Sequence, residues 1–460
     1  MRRRNCRGAK AGQESGTVKD TAKEERPSTV PARAKQGGEI PARWAWVEPT
    51  VWTTRMLTAL ENGVRGGRWF SLMDKVYAPA NLAAGWKRVR DNRGAAGADH
   101  QSVEQFDCHA TKYLDELYQE LREGRYRPRP VRRRWIPKPG TNQERPLGIP
   151  TVRDRIVQTA MRHVLEPIWE AKFVDQSYGF RPGRSCKDAL RRVDALLHDG
   201  YTWVVDADIQ NYYDSIDRGR LLDEVAKHVA DGKVLELVEA ILEQPVMEEA
   251  SSWTPEEGVP QGSTLGPLLA NMFLHPVDEE VVRAGYELTR YADDQVILCR
   301  SEQQAIAALA LLRDAMTRRG LTLHPDKTRV VDMSELGGFD FLGYHFEAGE
   351  KWPRAKSLKK LKDNVRALTK RNNGHCMQTI ISRLLKRGTT AGTPTGTRKR
   401  QVFETQAQTV TTSDAANDHG MSGWFGVTPS PGVDLHIGYT RSIAYDFNTL
   451  FFGVGFRVGK

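Results

Sequence analysis

Two adjacent aspartates, Asp293 and Asp294, interrupt the apolar run "RYADDQVILC" at residues 290 to 299. Neighbouring carboxylates repel, and burying them without partners is costly. One reading is a surface turn between two strands, because Asp is a common turn former. A second acidic cluster lies upstream in "VVDADIQNYYDSID", where Asp208 ends an apolar strand much as Asp293 does. Taken alone, Asp206, Asp208, Asp214 and Asp217 also fit strand-end and helix-cap positions. Brought side by side, the two strand ends would make an oxygen-rich, net negative site with three carboxylates. Hard divalent cations hold such a site together, and Mg²⁺ is the biological default. Two such ions, about 3.5 to 4 Å apart, activate a 3′-hydroxyl and stabilise leaving pyrophosphate in phosphoryl transfer.

The surrounding elements must position those carboxylates. "YTWVVDADI" reads as a strand and "LTRYADDQVILC" as a hairpin. "STLGPLLANMFLHPVDEEV" reads as a helix that follows a Pro-Gln-Gly turn. "SEQQAIAALALLRDAMTRRG" reads as another, with a capping box at Ser301 and Gln304, a core face of Ile306, Leu309 and Leu312, and Gly320 as its stop. Upstream, "SVEQFDCHATKYLDELYQELREG" predicts one helix with Phe106, Tyr113, Leu114, Leu117 and Leu121 on one face. Strands and helices mix without βαβ regularity, which points to an α+β fold.

The 460 residues suffice for two or three domains, and the net charge of +10 points to a polyanionic partner, nucleic acid first. Seven Lys and Arg with no acid lie between residues 125 and 140. Between 353 and 400 there are fourteen against one acid, Asp363. No apolar run approaches the roughly 18 to 20 residues that span a bilayer, so no membrane partner is expected. The five cysteines are scattered without a C-x-x-C pair, which disfavours a zinc site or a disulfide framework and suits a reducing, cytoplasmic compartment.

The order of the motifs resembles that of reverse transcriptases, most closely the reverse transcriptase/maturases encoded by group II introns. "NRGAAGADH" looks like their N-terminal extension motif, and "RWIPKPGTNQERPLGIPTVRDRIVQ" and "SYGFRPGRSCKDAL" look like their first two fingers blocks. "VVDADIQNYYDSID" is similar to the palm motif with the first catalytic aspartate, and "GVPQGSTLGPLLANMFL" to the helix motif facing primer and template. "RYADDQVILC" resembles the palm hairpin, "LHPDKTRVV" the lysine-bearing block and "FDFLGYHF" the primer-grip region. The blocks keep the family's order from about residue 68 to 346.

The resemblance implies a right-hand polymerase with fingers, palm and a partial helical thumb. It implies Asp208, Asp293 and Asp294 as ligands of two Mg²⁺ ions, and Tyr213 beneath the incoming sugar as a wall against a 2′-hydroxyl. Lys138 and Arg145 would grip the triphosphate, Gln261 would contact the nucleotide with Gly262 allowing close approach, and Lys327 would neutralise or protonate the pyrophosphate. Arg181 and Arg184 would contact the template backbone. The implied partners are group II intron RNA, an RNA template, a DNA primer and dNTPs; the implied activity is RNA-directed DNA polymerisation, with assistance to splicing as a maturase. A splicing cofactor with little polymerase activity and a retron- or defence-type reverse transcriptase are the alternatives, the first disfavoured by the intact carboxylates and the second by "NRGAAGADH" and "RPLGIP".

The expected organisation is a flexible basic arm at 1–42, an N-terminal extension and start of the fingers at 43–125, and fingers and palm at 126–350. The start of a thumb like maturase domain X follows at 351–387, opening with the basic amphipathic "KSLKKLKDNVRAL". Residues 388–460 form a divergent, irregular tail whose end, "DLHIGYTRSIAYDFNTLFFGVGFRVGK", has strand-like alternation.

Overall fold

The computed structural model describes residues 42–137, 144–249 and 251–370, scattered positions from 374 to 383, and the backbone of three strands between 421 and 456. The basic arm, Lys138 and most of the second thumb segment lie outside the described residues.

Helices α1 (Thr54–Asn62), α2 (Met73–Val76), α3 (Pro79–Asn92), α4 (Val103–Asp107) and α5 (Ala110–Arg122) precede the first strand. The single helix predicted over 102–124 is therefore two. The chain leaves helical geometry at His109, with φ −130° and ψ 26°, after Ser102 and Gln105 cap α4 reciprocally. That break lets Phe106 sit between Trp86 and Tyr113, tilted against both rings with centroids 4.6 and 5.0 Å away, while Leu117 and Leu121 are buried from α5.

These helices gather around α6 (Val152–Glu170), whose residues are buried on nearly every face. A helix without a polar face must be a core element. Its polar groups are satisfied inside: Asn81 donates to the Ala160 carbonyl at 3.0 Å and meets His163 at 2.8 Å.

Two sheets stand on this base. In the first, β1 (Val131–Pro137) pairs antiparallel with β2 (Glu144–Ile149) and parallel with a later strand, giving the order β2-β1-β4-β5 once β4 (Val246–Glu248) and β5 (Ser251–Trp253) are placed. In the second, β3 (Trp203–Ala207), β6 (Glu287–Tyr291), β7 (Asp294–Cys299) and β8 (Arg329–Asp332) run in the order β6-β7-β3-β8, all antiparallel.

The period-two alternation of β3 and β7 divides the second sheet into two faces. Val205, Ala207 and Ile297 join the main core, which also holds the buried residues of α8 (Arg218–Ala226), α9 (Gly232–Leu242), α10 (Gly266–Arg283) and α11 (Glu302–Arg318). Val204, Val296 and Leu298 face a second core. There they meet Ala189 and Val193 of α7 (Cys186–His198) and phenylalanines from the small sheet β9 (Phe339–Phe341), β10 (Tyr344–Glu347) and β11 (Glu350–Pro353). Both faces being covered explains why β7 reads as a continuous apolar run.

Helix α11 corrects the expected core face. Ile306 is 56% exposed, and the buried stripe is Ala305, Ala308, Leu312, Ala315 and Met316. Small alanines let the helix lie close on β3 and β7, so the larger Ile306 turns outward. Ser301 caps the helix as expected, but Gln304 reaches back to the Arg300 amide at 3.1 Å and not to that of Ser301.

Helix α12 (Ala355–Leu368) follows with no buried residue. The tail forms a separate unit that contains a three-stranded antiparallel meander, β12 (Met421–Ser430), β13 (Val433–Arg441) and β14 (Asn448–Phe456). The strand-like alternation thus corresponds to an ordered ladder within a stretch expected to be irregular.

Candidate active site

The acidic hairpin turns between Tyr291 and Asp294, which pair across it, leaving Ala292 and Asp293 as the two loop residues. Two-residue hairpin loops need a positive φ at the first central position, usually supplied by glycine. Here Ala292 has φ 60°, a conformation that strains a non-glycine residue and persists only where the surroundings impose it.

Those surroundings are buried and polar. Arg290 is 0% exposed, although it is a full cation inside a strand. Its Nε donates to Asp278 Oδ1 at 2.7 Å, and its Nη1 donates to Asn271 Oδ1 at 2.9 Å and to the Ala292 carbonyl at 2.8 Å. The turn is therefore gripped from behind by a guanidinium whose charge Asp278 of α10 balances. Burial pushes the Asp278 carboxyl up, and the Arg290 charge opposes that rise. On the other side Asn271 donates to the Gly179 carbonyl at 2.8 Å, and Tyr178 N–H donates to the Arg290 carbonyl at 2.8 Å. A Cβ on Gly179 would collide with the Ala292 amide nitrogen, so glycine is required for the segment to press on the turn.

Asp208 lies just past β3, and alternation carries it to the same face as Asp206. The Lys327 ammonium donates to Asp208 Oδ2 at 2.7 Å, while the Asp208 carbonyl accepts from the His324 amide at 2.8 Å. Arg329 approaches Asp206 at 3.5 Å. The carboxylates sense one another. Burial first, then the charges of Asp293, Asp208 and Asp206, push Asp294 up to about 6. Asp294 still reaches solvent, so crowding by like charges is the part of that rise that a cation would reverse. Burial and Asp208 likewise raise Asp293, and burial holds Asp206 at about 6 against the pull of Arg329.

Among the described residues no three His, Cys, Asp or Glu side chains converge closely enough to enclose a cation. The donor set nevertheless fits one: it is all oxygen, it is charge-crowded, and its nearest compensation is a lysine ammonium on Asp208. Asp208, Asp293 and Asp294 would hold the ions.

Tyr213 stands in a short 3₁₀ turn, Tyr212–Ser215, entered through Asn211 at φ 46°. Burial and the nearby Asp293 carboxylate push its phenol up to about 12, so it stays neutral beside the carboxylates. Its carbonyl accepts from the Val259 amide at 2.8 Å, which ties it to the segment leading into the Pro-Gln-Gly turn.

That turn is locked to β2. The Gly148 amide donates to the Gln261 carbonyl at 2.6 Å, and Gly262, at φ 104°, lies so close that a Cβ would strike the Gly148 carbonyl oxygen. Gly262 thus permits close approach, but what approaches is a strand. The Gln261 residue borders a cavity of about 380 Å³ together with Arg133, Asp214, Arg218 and Trp253. Arg145 is exposed on β2, opposite Ile136. Lys138 lies outside the described residues.

The expectation that Arg181 touches the template backbone fails. Arg181 is 5% exposed and pairs bidentately with Glu170 at 2.9 and 2.8 Å, with further bonds to the Val174 and Ser177 carbonyls. A guanidinium so fully used inside the protein cannot reach a phosphate. Arg184 binds Asp175 at 2.6 Å. Arg290, Asp278 and Asn271 carry no motif in the sequence; a lone arginine within an apolar strand is the one signal for them.

Residues 136–346 match the family model described as reverse transcriptase (RNA-dependent DNA polymerase). Protein YkfC of Escherichia coli (strain K12) is 29% identical over 347 residues, which cover 66% of this chain and 85% of that protein. Group II intron-encoded protein LtrA of Lactococcus lactis subsp. cremoris is 36% identical over 190 residues, 41% of this chain and 32% of its own. Nuclear intron maturase 2, mitochondrial, of Arabidopsis thaliana is 27% identical over 243 residues, 44% of this chain and 32% of its own. The chain spans about a third of the length of the last two.

Proposed function

We propose that the chain is a reverse transcriptase, an RNA-directed DNA polymerase, in the branch of group II intron-encoded proteins, and that it copies intron RNA into DNA at Asp208, Asp293 and Asp294. The observation that carries this reading is the braced hairpin: a buried cation, Arg290, holds the Ala292 turn so that Asp293 and Asp294 stay beside Asp208. No structural need of the sheet accounts for three crowded carboxylates at its strand ends.

Divalent ions, in this reading two Mg²⁺, supply charge neutralisation and acidify the primer 3′-hydroxyl. The residues do the rest. Asp208, Asp293 and Asp294 offer the oxygens. Lys327, whose ammonium donates to Asp208 Oδ2, would be free to meet the departing pyrophosphate once a divalent cation neutralised that carboxylate. Tyr213, neutral and wedged between Asp293 and the 259–261 segment, presents a wall beneath the sugar that passes a 2′-hydrogen and rejects a 2′-hydroxyl. Gln261 contacts the nucleotide, and Arg145 grips the triphosphate as a planar fork with Lys138 as a point charge. The template and intron RNA meet a basic surface; α12 contributes Lys356, Lys359, Lys360, Lys362 and Arg366 to it. Assistance to splicing, as a maturase, uses that same surface.

The test is extension of a DNA primer on an RNA template by the purified chain. The reading expects cation-dependent synthesis from dNTPs that a chelator abolishes. Tight RNA binding without any extension would leave a splicing cofactor in its place.

A further inference from the structure

Phe180 is held where burial alone would not put it. Its neighbours Gly179 and Arg181 are buried, yet Phe180 is 48% exposed. Its φ is 58°, in the left-handed region that bulky side chains rarely adopt. Two anchors impose this. On one side Gly179 presses on the Ala292 turn, and its carbonyl is held by Asn271 at 2.8 Å. On the other, Arg181 is clamped by Glu170 at 2.8 Å and by the Ser177 carbonyl at 2.7 Å. The chain between the anchors has no freedom to turn the ring inward. The ring instead lies 6.4 Å from that of Tyr291, the residue that opens the catalytic turn. Strain kept without burial in return is found where a side chain serves a ligand.

We propose that Phe180, with Tyr291 beside it, is a nucleic-acid contact: an apolar platform for the sugar and base edges of the primer–template duplex next to the reacting 3′ end. The inference rests on the polymerase reading above. Tyr291 lies two residues from Asp293 and pairs with Asp294 across the turn, so a primer terminus at Asp293 would lie beside it. With a rise of about 3.4 Å per nucleotide along a strand, the last few pairs come within reach of the exposed ring. An apolar ring suits this position because it adds affinity whatever the base sequence and adds no charge near the crowded carboxylates.

Phe180→Gly separates strain from contact, since glycine accepts φ 58° at no cost and removes the ring. The full chain, wild type and variants, is titrated with a labelled DNA primer on an RNA template at several salt concentrations. Single-nucleotide addition and thermal unfolding are followed in parallel. Phe180→Gly is expected to unfold at the wild-type temperature or above and to bind the duplex about ten-fold more weakly, as loss of one buried aromatic contact predicts. Its salt slope should match wild type, because no charge is lost. Phe180→Tyr should bind as wild type does. If the glycine variant loses its fold, Phe180→Asn, which also tolerates the left-handed region, stands in for it under the same criteria. A folded ringless variant with wild-type affinity and extension overturns the proposal. A wild-type chain that adds no nucleotide overturns the polymerase reading itself, which is a distinguishable failure.

Discussion

The acidic hairpin and the β1–β2 edge of the first sheet are built on opposite principles. Behind Asp293 the polar contacts are buried, charge-balanced and crossed from three directions: Arg290 from the strand, Asp278 and Asn271 from α10, Gly179 from the segment alongside. On β2, the edge strand of its sheet, Arg145 is exposed, and the strand is held by its backbone ladder to β1 and by backbone contacts to Gln261 and Gly262 further along. A centre that must keep carboxylates at set separations is over-determined. A surface that, on the proposed reading, takes and releases a nucleotide in each cycle is left open. Damage behind the hairpin should therefore reach stability and chemistry together, and damage on β2 should reach substrate use alone.

Asp278→Ala tests the first half of that contrast hardest. It leaves the fully buried Arg290 cation unpaired, and breaking a buried pair in this way costs about 3–5 kcal/mol. Urea unfolding should show a loss of that size, with nucleotide addition lost at the same time. A loss no larger than that of a surface substitution would mean that the turn is not braced by this pair.

Arg145→Ala probes the other half. Because the side chain is exposed, the stability change should stay within about 0.5 kcal/mol. The KM for dNTP should rise by about ten-fold, as removal of a charge-assisted bond worth about 1.5–3 kcal/mol would give. A fall in kcat at constant KM, or a loss of stability, would erase the distinction between the regions. Tyr213→Ala belongs between the two, since its ring is half-buried beside Asp293. It should narrow the preference for dNTP over rNTP, read from competing incorporation on one template. Unchanged discrimination in a folded variant would return Tyr213 to a packing role.

The smallest expected effect is electrostatic. Asp294 titrates at about 6 in the folded chain, above the unfolded carboxylate value of about 3.9. A raised folded value means that the native state binds the proton more tightly. The stabilisation is therefore full below the unfolded value and is lost as pH rises through about 6. His163 and His275, buried and held near 4, act with the opposite sign, so the informative quantity is the difference between wild type and Asp294→Asn. In chelator, that difference should favour the variant increasingly from pH 4 to pH 7, and added divalent cation should restore wild type alone. A difference that does not vary with pH would show that Asp294 is not crowded by its neighbours.

Much of this site was legible because its chemistry needs particular residue types in a fixed order. Asp208 and Asp293 announce themselves as acids at the ends of apolar strands, and the hairpin follows from alternation around them. What supports them was not legible. Asn271 and Asp278 sit in a helix whose pattern says only that it is buried, and their partner Arg290 lies on the next strand, so neither periodicity nor propensity pairs them. Arg181 misled for a related reason. An arginine in a basic, glycine-rich block reads as a phosphate contact until Glu170, on another element, is seen to consume it. Ile306 failed through packing: periodicity located the helix but set its core face one position off, because a face of alanines was what the sheet could accept.

The central claim is that the braced carboxylates perform the chemistry and do not merely shape the cleft. Single-turnover addition of one dNTP to a DNA primer on an RNA template, with duplex affinity measured in parallel, tests it for wild type and Asp293→Ala. The account predicts that the variant loses several decades in rate, as removal of metal-centred transition-state stabilisation requires, while its affinity for the duplex stays close to wild type. Nucleotide addition by Asp293→Ala at a rate comparable to wild type would contradict it.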